Sequence, residues 1–244
     1  MAIKKYMERF LTNKSIFFRW QTLFLFVSYF VIRIISFYLH PHLVVQGILV
    51  FFILMAFGIL YFKNPNWAWG LLLAEIFLGG SGHYLELLGL SLRTLLIFFF
   101  IFLWLAQLIG DRSIKKIFDI HSHINYLLLI LFAFLAMAGI NGIVSGHEFR
   151  QVIADIMPFS FLLLIFPSYY LFADNKTQEY LVRLIGVFII GTALFSLITF
   201  TLFSLGITEL HFDFYQWYRD VDMGKITNMG MGFFRIVEPA HILV

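Results

Sequence analysis

Two charged side chains stand where the chain turns from a polar stretch into an apolar one. The segment "GFFRIVEP", residues 232–239, places Arg235 three residues before Glu238. An arginine fork binds phosphate groups bidentately, and a carboxylate can orient or deprotonate a hydroxyl group. The pair therefore fits a site that holds an anionic group beside an accepting hydroxyl. A surface ion pair at a helix start before Pro239 explains the same spacing, and both interpretations stay open.

The polar stretch before this pair, Gly206–Phe234, interleaves charged and aromatic residues. Aromatic rings stack on sugars and also anchor proteins at the level of the lipid headgroups, while arginines grip phosphate. The composition suits a glycan or phosphate site and equally a solvated loop with an aromatic belt. The residues concerned are Glu209, His211, Asp213, Tyr215, Trp217, Tyr218, Arg219, Asp220, Asp222 and Lys225.

A second cluster lies in "EIFLGGSGHYLELLGLSLR", residues 75–93. Glu75 is an ionisable residue inside an apolar segment, which marks a functional hypothesis by default. His83 and Glu86 are one turn apart if this part is helical, and Arg93 opens the next apolar run. A metal site at His83 is disfavoured, because no second ligand stands at a usual spacing. The glycines between them fit a tight turn or merely the end of a helix.

The composition decides which elements must carry these residues. Of 244 residues, 61% are hydrophobic and only 13% charged, with a mean hydropathy of +0.90. A soluble domain has about 45–50% apolar and about 25% charged residues, so the apolar excess is expected to face lipid. The absence of cysteine excludes disulfides and thiolate chemistry. The basic residues are scattered in short loops, which gives nucleic-acid binding no support.

We predict an all-α, polytopic integral membrane protein, a single transmembrane domain with about seven transmembrane helices and the start of an eighth. The third segment is short and can be tilted, re-entrant or continued into 79–90. In the first segment, Arg33 is expected to snorkel toward the interface. The predicted segments are Gln21–Leu39, Leu43–Phe62, Trp67–Leu78, Arg93–Ile109, His123–Ile143, Ile153–Phe172 and Tyr180–Leu205.

The distribution of Lys and Arg predicts a cytoplasmic N-terminus, because cytoplasmic loops carry an excess of these residues. With seven spans, the basic lead at 4–19 and the "DRSIKK" segment at 111–116 share the inner side. The loops at 79–92, 145–151 and 206–234 are then extracytoplasmic. The last of these is the longest polar stretch between apolar segments.

Two segments resemble the O-antigen ligase and O-antigen polymerase superfamily of bacterial inner-membrane proteins. They are the glycine turn ending in "GLSLR" within 75–97, and 215–244 with its "GFFRIVEP" motif. The resemblance implies metal-independent and cofactor-free glycosyl transfer in surface-polysaccharide assembly. The donor would be a glycan on undecaprenyl diphosphate, and the acceptor a lipid A core sugar or another repeat unit.

Carried over by motif, the resemblance implies Glu238 and Arg235 as catalytic residues, with Arg235 also binding substrate. Arg93, at the end of "GLSLR", would be a further substrate-binding residue, and Arg219 and His211 are added because they share the outer loop. The implied partners are membrane lipid, lipid-linked oligosaccharide and other polysaccharide-assembly proteins. Members of this superfamily usually have more spans, so we expect this chain to be the N-terminal half of a longer protein.

Two other functions fit the same composition. A transporter or flippase needs charges near the membrane midplane, for which Arg33 and Glu75 are the candidates. A non-catalytic membrane scaffold would leave the outer loop disordered and tolerant of substitution.

Overall fold

The computed structural model describes residues 20–78, 83–87, 89–111, 122–171, 175–230 and 232–237. They belong to two compact units: unit 1 is Met1–Arg93 with Asn175–Val244, and unit 2 is Thr94–Asp174. The elements are α1 (Trp20–Leu39), α2 (Leu43–Lys63), α3 (Pro65–Leu78), β1 (Glu86–Leu87), β2 (Leu90–Ser91), α4 (Leu92–Gly110), α5 (Ser122–Val144), α6 (Phe149–Ile156), a 3-10 helix (Met157–Leu164), α7 (Ile165–Leu171), α8 (Asn175–Ser204), α9 (Asp213–Asp220), β3 (Lys225–Asn228) and β4 (Phe234–Val237).

Six helical stretches within these residues are long and apolar enough to cross a membrane. They are Trp20–Leu39, Leu43–Lys63, Leu92–Gly110, Tyr126–Val144, Gln151–Ser168 and Lys176–Ser204. Many of their apolar side chains point away from the protein; Val44 and Phe62 are 77% and 79% exposed. Continuous apolar surface of this kind is stable against lipid rather than water. At this level, the prediction of a mostly helical chain with several helices able to span a membrane is confirmed.

The third predicted segment is a helix, but a short one. α3 has 14 residues, which at about 1.5 Å per residue cover about 21 Å of a hydrocarbon core of about 30 Å. The described residues that follow do not continue the helix. They form the antiparallel pair β1–β2, with Glu86 opposite Ser91. The described residues contain one other antiparallel pair, β3–β4, and their remaining elements are helices.

In unit 2, the sixth predicted segment is a broken helix. α6, the 3-10 helix and α7 follow one another directly, and Pro158 lies in the first turn of the 3-10 helix. Proline lacks the N–H that an α-helix needs at that point, so the chain changes its helical type there.

α6 packs closely on α5. A Cβ on Gly139 would lie 2.8 Å from Ile156 Cδ1, and one on Gly142 would lie 3.0 Å from Val152 Cγ2. A methyl group at Gly142 would require the Val152 side chain to shift, whereas one at Gly139 would meet the flexible end of the Ile156 side chain.

In unit 1, α1 and α8 run side by side in the same direction. Gln21 accepts a hydrogen bond from Arg183 near the start of both helices, and the hydroxyls of Tyr29 and Thr192 are 3.0 Å apart further along. Gly191 makes this approach possible, because a Cβ there would lie 2.9 Å from the Tyr29 ring. The Tyr29 side chain is buried in the resulting interface.

α2 has a different neighbour at each of its ends. At its C-terminal end, Asn64 alone separates it from α3, and its backbone N–H caps α2 by bonding to Leu60 O. At its N-terminal end, the Glu86 backbone N–H donates to Gln46 Oε1 (3.2 Å). Leu87 Cδ1 also lies 3.2 Å from the position of a Cβ on Gly47. The chain therefore runs from the C-terminal end of α2 back to the N-terminal end of the same helix within residues 65–87.

Three segments meet at this end of unit 1, which we call the polar end. They are the turn at 40–42, the β1–β2 hairpin with residues 83–85 before it, and residues 206–237, which we call the cap. The cap is attached here because Trp217 and Asp220 of α9 contact Ser36 and His40 at the end of α1. The sequence-based prediction that 79–92 and 206–234 lie on one side is consistent with these contacts.

Candidate functional site

Trp217 fixes the cap onto the helices. Its indole Nε1 donates a 3.0 Å hydrogen bond to Ser36 Oγ, and Ser36 Oγ donates to the backbone carbonyl of Tyr84 at 2.9 Å. Trp217 and Ser36 are only 2% and 1% exposed. The Trp217 ring lies nearly parallel to that of Tyr84 and edge-on to that of Phe37. One side chain therefore joins α9, α1 and the segment before β1.

An acidic rim lies beside this anchor, and we define it as Glu86, Asp220 and Asp222 with the rings of His40 and His83. His83 Nδ1 is 2.7 Å from Glu86 Oε1, and His83 Nε2 is 3.9 Å from Asp222 Oδ2. His40 Nε2 is 3.2 Å from Asp220 Oδ2. The rim joins the cap to the β1–β2 hairpin through groups that remain partly exposed.

Gln46 supports the rim from below. Its Nε2 donates to the carbonyls of Leu39 and His40, and its Oε1 accepts the Glu86 backbone N–H. The side chain is 4% exposed, so these bonds are largely shielded from bulk water. Buried polar groups with satisfied hydrogen bonds hold neighbouring segments in one arrangement. Gln46 thus fixes the position of Glu86 relative to the end of α1.

The β3–β4 hairpin carries a basic face on the cap, which we define as Lys225, Thr227 and Arg235. Thr227 pairs directly with Arg235, and Lys225 pairs with Val237, so these side chains point to the same side of the hairpin. Both cations are exposed, and neither has an ion pair or hydrogen bond with any described residue. The opposite side carries Ile226, which is buried against the protein. The hairpin therefore presents two exposed cations and a hydroxyl on its outer side.

The hairpin lies against the last turns of α8. Phe234 packs on Phe203, with ring centroids 5.3 Å apart, and Phe233 packs on Phe200 at 5.9 Å. Phe233 and Met229, which flank the turn of the hairpin, are nevertheless 58% and 57% exposed. Exposed apolar residues beside the end of an apolar helix are typical of the membrane interface. The basic face therefore lies beside the C-terminal end of α8.

The predicted site residues are placed as follows. Arg235 belongs to the basic face, and Arg219 is exposed near the end of α9. His211 is exposed before α9, with its Nε2 3.1 Å from Glu209 Oε2. Glu238 lies outside the described residues, directly after β4. Arg93 differs from the others, because it is mostly buried rather than presented by the cap.

Arg93 forms a buried ion pair with Glu75. Its Nε donates to Glu75 Oε2 at 3.0 Å, and its Nη2 donates to the carbonyl of Ile76 at 3.2 Å. Both side chains are 12% exposed. The pair joins the start of α4 to the end of α3 and neutralises both charges. Arg93 therefore holds helices together in this structure, and binding an external phosphate would require breaking the pair.

Arg33 is buried rather than snorkelling, which overturns the expectation from its position in α1. It is 4% exposed, and its Nη1 donates to the carbonyls of Tyr29 and Leu78 at 2.8 and 3.0 Å. The guanidinium lies 3.4 Å from the centroid of the Tyr29 ring, with Tyr84 and Phe195 further out. No carboxylate of a described residue pairs with it. Three aromatic rings and two carbonyls replace the water that snorkelling would provide.

Sequence reasoning left two features out of the site. Lys225 becomes a partner of Arg235 only in the hairpin, although the alternation in "KITN" and "FRIV" around a glycine-rich turn is a hairpin signal. His83 and Glu86 stand at helical spacing in the sequence, but in the structure His83 lies in the non-helical segment before β1 and Glu86 is the first residue of β1. Their contact with Asp222 joins residues far apart in the chain, which no local pattern predicts.

Within the described residues, no group of three or more His, Asp or Glu side chains is arranged to hold a metal ion. No protein-family model, curated protein or solved structure matches this chain.

Proposed function

We propose that the chain crosses a bacterial inner membrane about seven times, with its N-terminus in the cytoplasm and the polar end outside. The path of α3 supports the odd number of crossings, since the chain passes from the end of α2 back to its beginning within residues 65–87. α3 then lies on the path of this crossing, although the helix alone is short. Lys63, at the other end of α2, falls on the cytoplasmic side together with the basic N-terminal lead.

The proposed activity is transfer of a glycan from undecaprenyl diphosphate to an acceptor hydroxyl during surface-polysaccharide (O-antigen) assembly, as a polymerase or ligase. The observation that supports it is the pair of exposed cations on the basic face, beside the C-terminal end of α8. Lys225 and Arg235 are diagonal neighbours on the hairpin, close enough for both to bind one diphosphate. Charge-assisted hydrogen bonds from these groups would hold the donor and stabilise the leaving diphosphate.

The basic face and the acidic rim, both at the polar end, would serve different steps of such a transfer. The basic face attracts the anionic donor, whereas the acidic rim repels phosphate and accepts hydrogen bonds from hydroxyl groups. A histidine or carboxylate there can take the proton of the attacking hydroxyl. Glu238, next to β4, remains the motif-based candidate for the same role.

The competing functions find less support among the described residues. Arg33 and Glu75, the candidates for transport, are engaged by aromatic rings and by Arg93. The cap is folded into α9 and the β3–β4 hairpin and anchored by Trp217, whereas a passive scaffold was expected to leave it disordered.

The test replaces the cations of the basic face in the gene. Arg235→Ala and Lys225→Ala should each abolish or shorten the surface polysaccharide on a gel while the lipid-linked precursor accumulates. Lys63→Ala, an exposed cation at the opposite end, is the matched control and should leave the polysaccharide unchanged. Normal chain length and lipid attachment in both cap variants would disprove the proposal.

A binding measurement separates loss of donor binding from loss of turnover. Farnesyl diphosphate is a suitable probe, because it carries the diphosphate on a short prenyl chain. A hydrogen bond to a charged group contributes about 1.5–3 kcal/mol, so each alanine variant should bind the probe about 10–100-fold more weakly. Unchanged affinity in both variants would place the diphosphate elsewhere.

A further inference from the structure

An apolar groove runs along the outer surface of α2 and ends at the acidic rim. Leu43, Val44, Ile48 and Phe51 form its wall on α2, and Leu87 and Glu86 close it from the β1–β2 hairpin. Gly47 lets the hairpin approach, since a Cβ there would lie 3.2 Å from Leu87 Cδ1. Its volume of about 770 Å³ lies within the range of about 300–1,000 Å³ typical of small-molecule sites.

The length of the groove matches one leaflet of a bilayer. From Leu43 to Phe52 the helix rises about 14 Å, at about 1.5 Å per residue. Half of a hydrocarbon core of about 30 Å is about 15 Å. The groove begins at the polar end and runs down a helix whose apolar side chains face lipid. The groove is therefore about as long as one acyl chain of a lipid in the leaflet next to the polar end.

The polar residues at the end of the groove determine which kind of lipid headgroup can bind there. A carboxylate only accepts hydrogen bonds, so His83 Nδ1 supplies the proton of the 2.7 Å contact with Glu86, and in the Nδ1–H tautomer of the imidazole Nε2 is an acceptor. Glu86 Oε2 is a second acceptor. Asp222 and Asp220 add negative charge nearby. Two acceptors in an acidic setting favour a headgroup that donates from hydroxyls and disfavour a phosphate.

We propose that the groove and the His83–Glu86 pair form a binding site for a membrane lipid with a hydroxylated headgroup, such as a glycolipid. One chain of the lipid lies along α2, and a headgroup hydroxyl donates to His83 Nε2 or Glu86. The binding does not depend on the activity proposed above. The further role of this lipid as the acceptor of the glycan does rest on that activity.

The test uses two photoreactive probes on the purified full chain in nanodiscs. One is a dodecyl glucoside with a diazirine on its alkyl chain, and the other is the corresponding dodecylphosphocholine. Mass spectrometry should find the glucoside on residues 43–52 at least five-fold more than on residues 55–62. The phosphocholine should label both halves of α2 equally, because Ile48 and Ile59 are similarly exposed, at 53% and 56%.

The variants are matched on the same helix. Ile48→Trp fills the groove and should reduce glucoside labelling of 43–52 at least five-fold, whereas Ile59→Trp should leave it unchanged. His83→Gln and Glu86→Gln should each reduce it without altering the labelling by phosphocholine. Equal glucoside labelling of both halves, or labelling that none of the three site variants reduces, would show ordinary bulk lipid and overturn the proposal.

The outcome is independent of the donor site. Ile48→Trp is expected to bind farnesyl diphosphate with unchanged affinity, because the basic face lies on the cap. Loss of glucoside labelling with intact diphosphate binding supports the lipid site alone. Failure of the groove experiment with weakened diphosphate binding in Arg235→Ala would overturn the lipid site and leave the proposed function standing.

Discussion

The indole N–H of Trp217 bonds to the hydroxyl of Ser36 at 3.0 Å, across 181 residues of sequence. The Ser36 hydroxyl in turn donates a hydrogen bond to the backbone carbonyl of Tyr84. The cap, α1 and the segment before β1 therefore share one buried contact. Because the acidic rim draws residues from the same three segments, its geometry depends on this contact.

Trp217→Ala should detach the cap. Truncation of a buried aromatic side chain costs about 3–5 kcal/mol, and here Ser36 also loses its hydrogen-bond donor. We expect a lower melting temperature in detergent and faster proteolysis within 206–237. Trp67→Ala is the control, because that side chain is 68% exposed and should be nearly neutral. Equal protease sensitivity of the two variants would show that Trp217 does not anchor the cap.

Glu75→Gln should be strongly destabilising, because it leaves the Arg93 cation buried without its carboxylate. Breaking a buried pair costs about 3–5 kcal/mol in the free energy of unfolding, whereas an exposed pair contributes about 0–1 kcal/mol. Glu209→Gln, which removes the exposed pair with His211, is the matched control. Unfolding in an SDS titration measures both.

The double variant Glu75→Leu with Arg93→Leu should recover much of that loss, since no charge is left unpaired. If the double variant is as unstable as Glu75→Gln, the backbone contacts of Arg93 matter more than its charge.

Gly191→Ala should weaken the packing of α1 on α8. The new methyl group would lie 2.9 Å from the Tyr29 ring, and overpacking of this kind costs about 1–3 kcal/mol. Gly70→Ala is a good comparison, because its methyl group would meet the Tyr180 ring at an ordinary 3.5 Å. That variant should be neutral or slightly stabilised by the higher helix propensity of alanine. Thermal unfolding that ranks the two variants in the opposite order would contradict the assigned helix contact.

The proposed orientation can be tested directly, because the chain contains no cysteine. A single cysteine at Asn228, in the cap, should react with a membrane-impermeant maleimide in cells whose outer membrane alone is permeabilised. A single cysteine at Asn66, at the opposite end of unit 1, should react only after lysis. The reverse pattern would invert the topology and place the basic face in the cytoplasm.

The apolar helices were predictable because lipid burial requires long runs of apolar residues, and hydropathy records them directly. The β3–β4 hairpin was readable in principle from the alternation around its glycine-rich turn. The environment of Arg33 could not be predicted from the local sequence, because its partners include the carbonyl of Leu78, 45 residues away. The Glu75–Arg93 pair likewise spans 18 residues and a chain reversal, which local spacing does not reveal.

The burial of Arg33 has a consequence for how the protein is made. An arginine at the centre of an isolated helix in lipid costs about 2.5–3.5 kcal/mol on insertion scales, and Arg33, in the second half of α1, makes this helix less favourable in the membrane on its own. The groups that accommodate the guanidinium include Leu78, Tyr84 and Phe195, which leave the ribosome later. α1 therefore reaches its final stability in the bilayer only when these later segments have joined it. Insertion of the first helix and assembly of unit 1 are, for this chain, one coupled process.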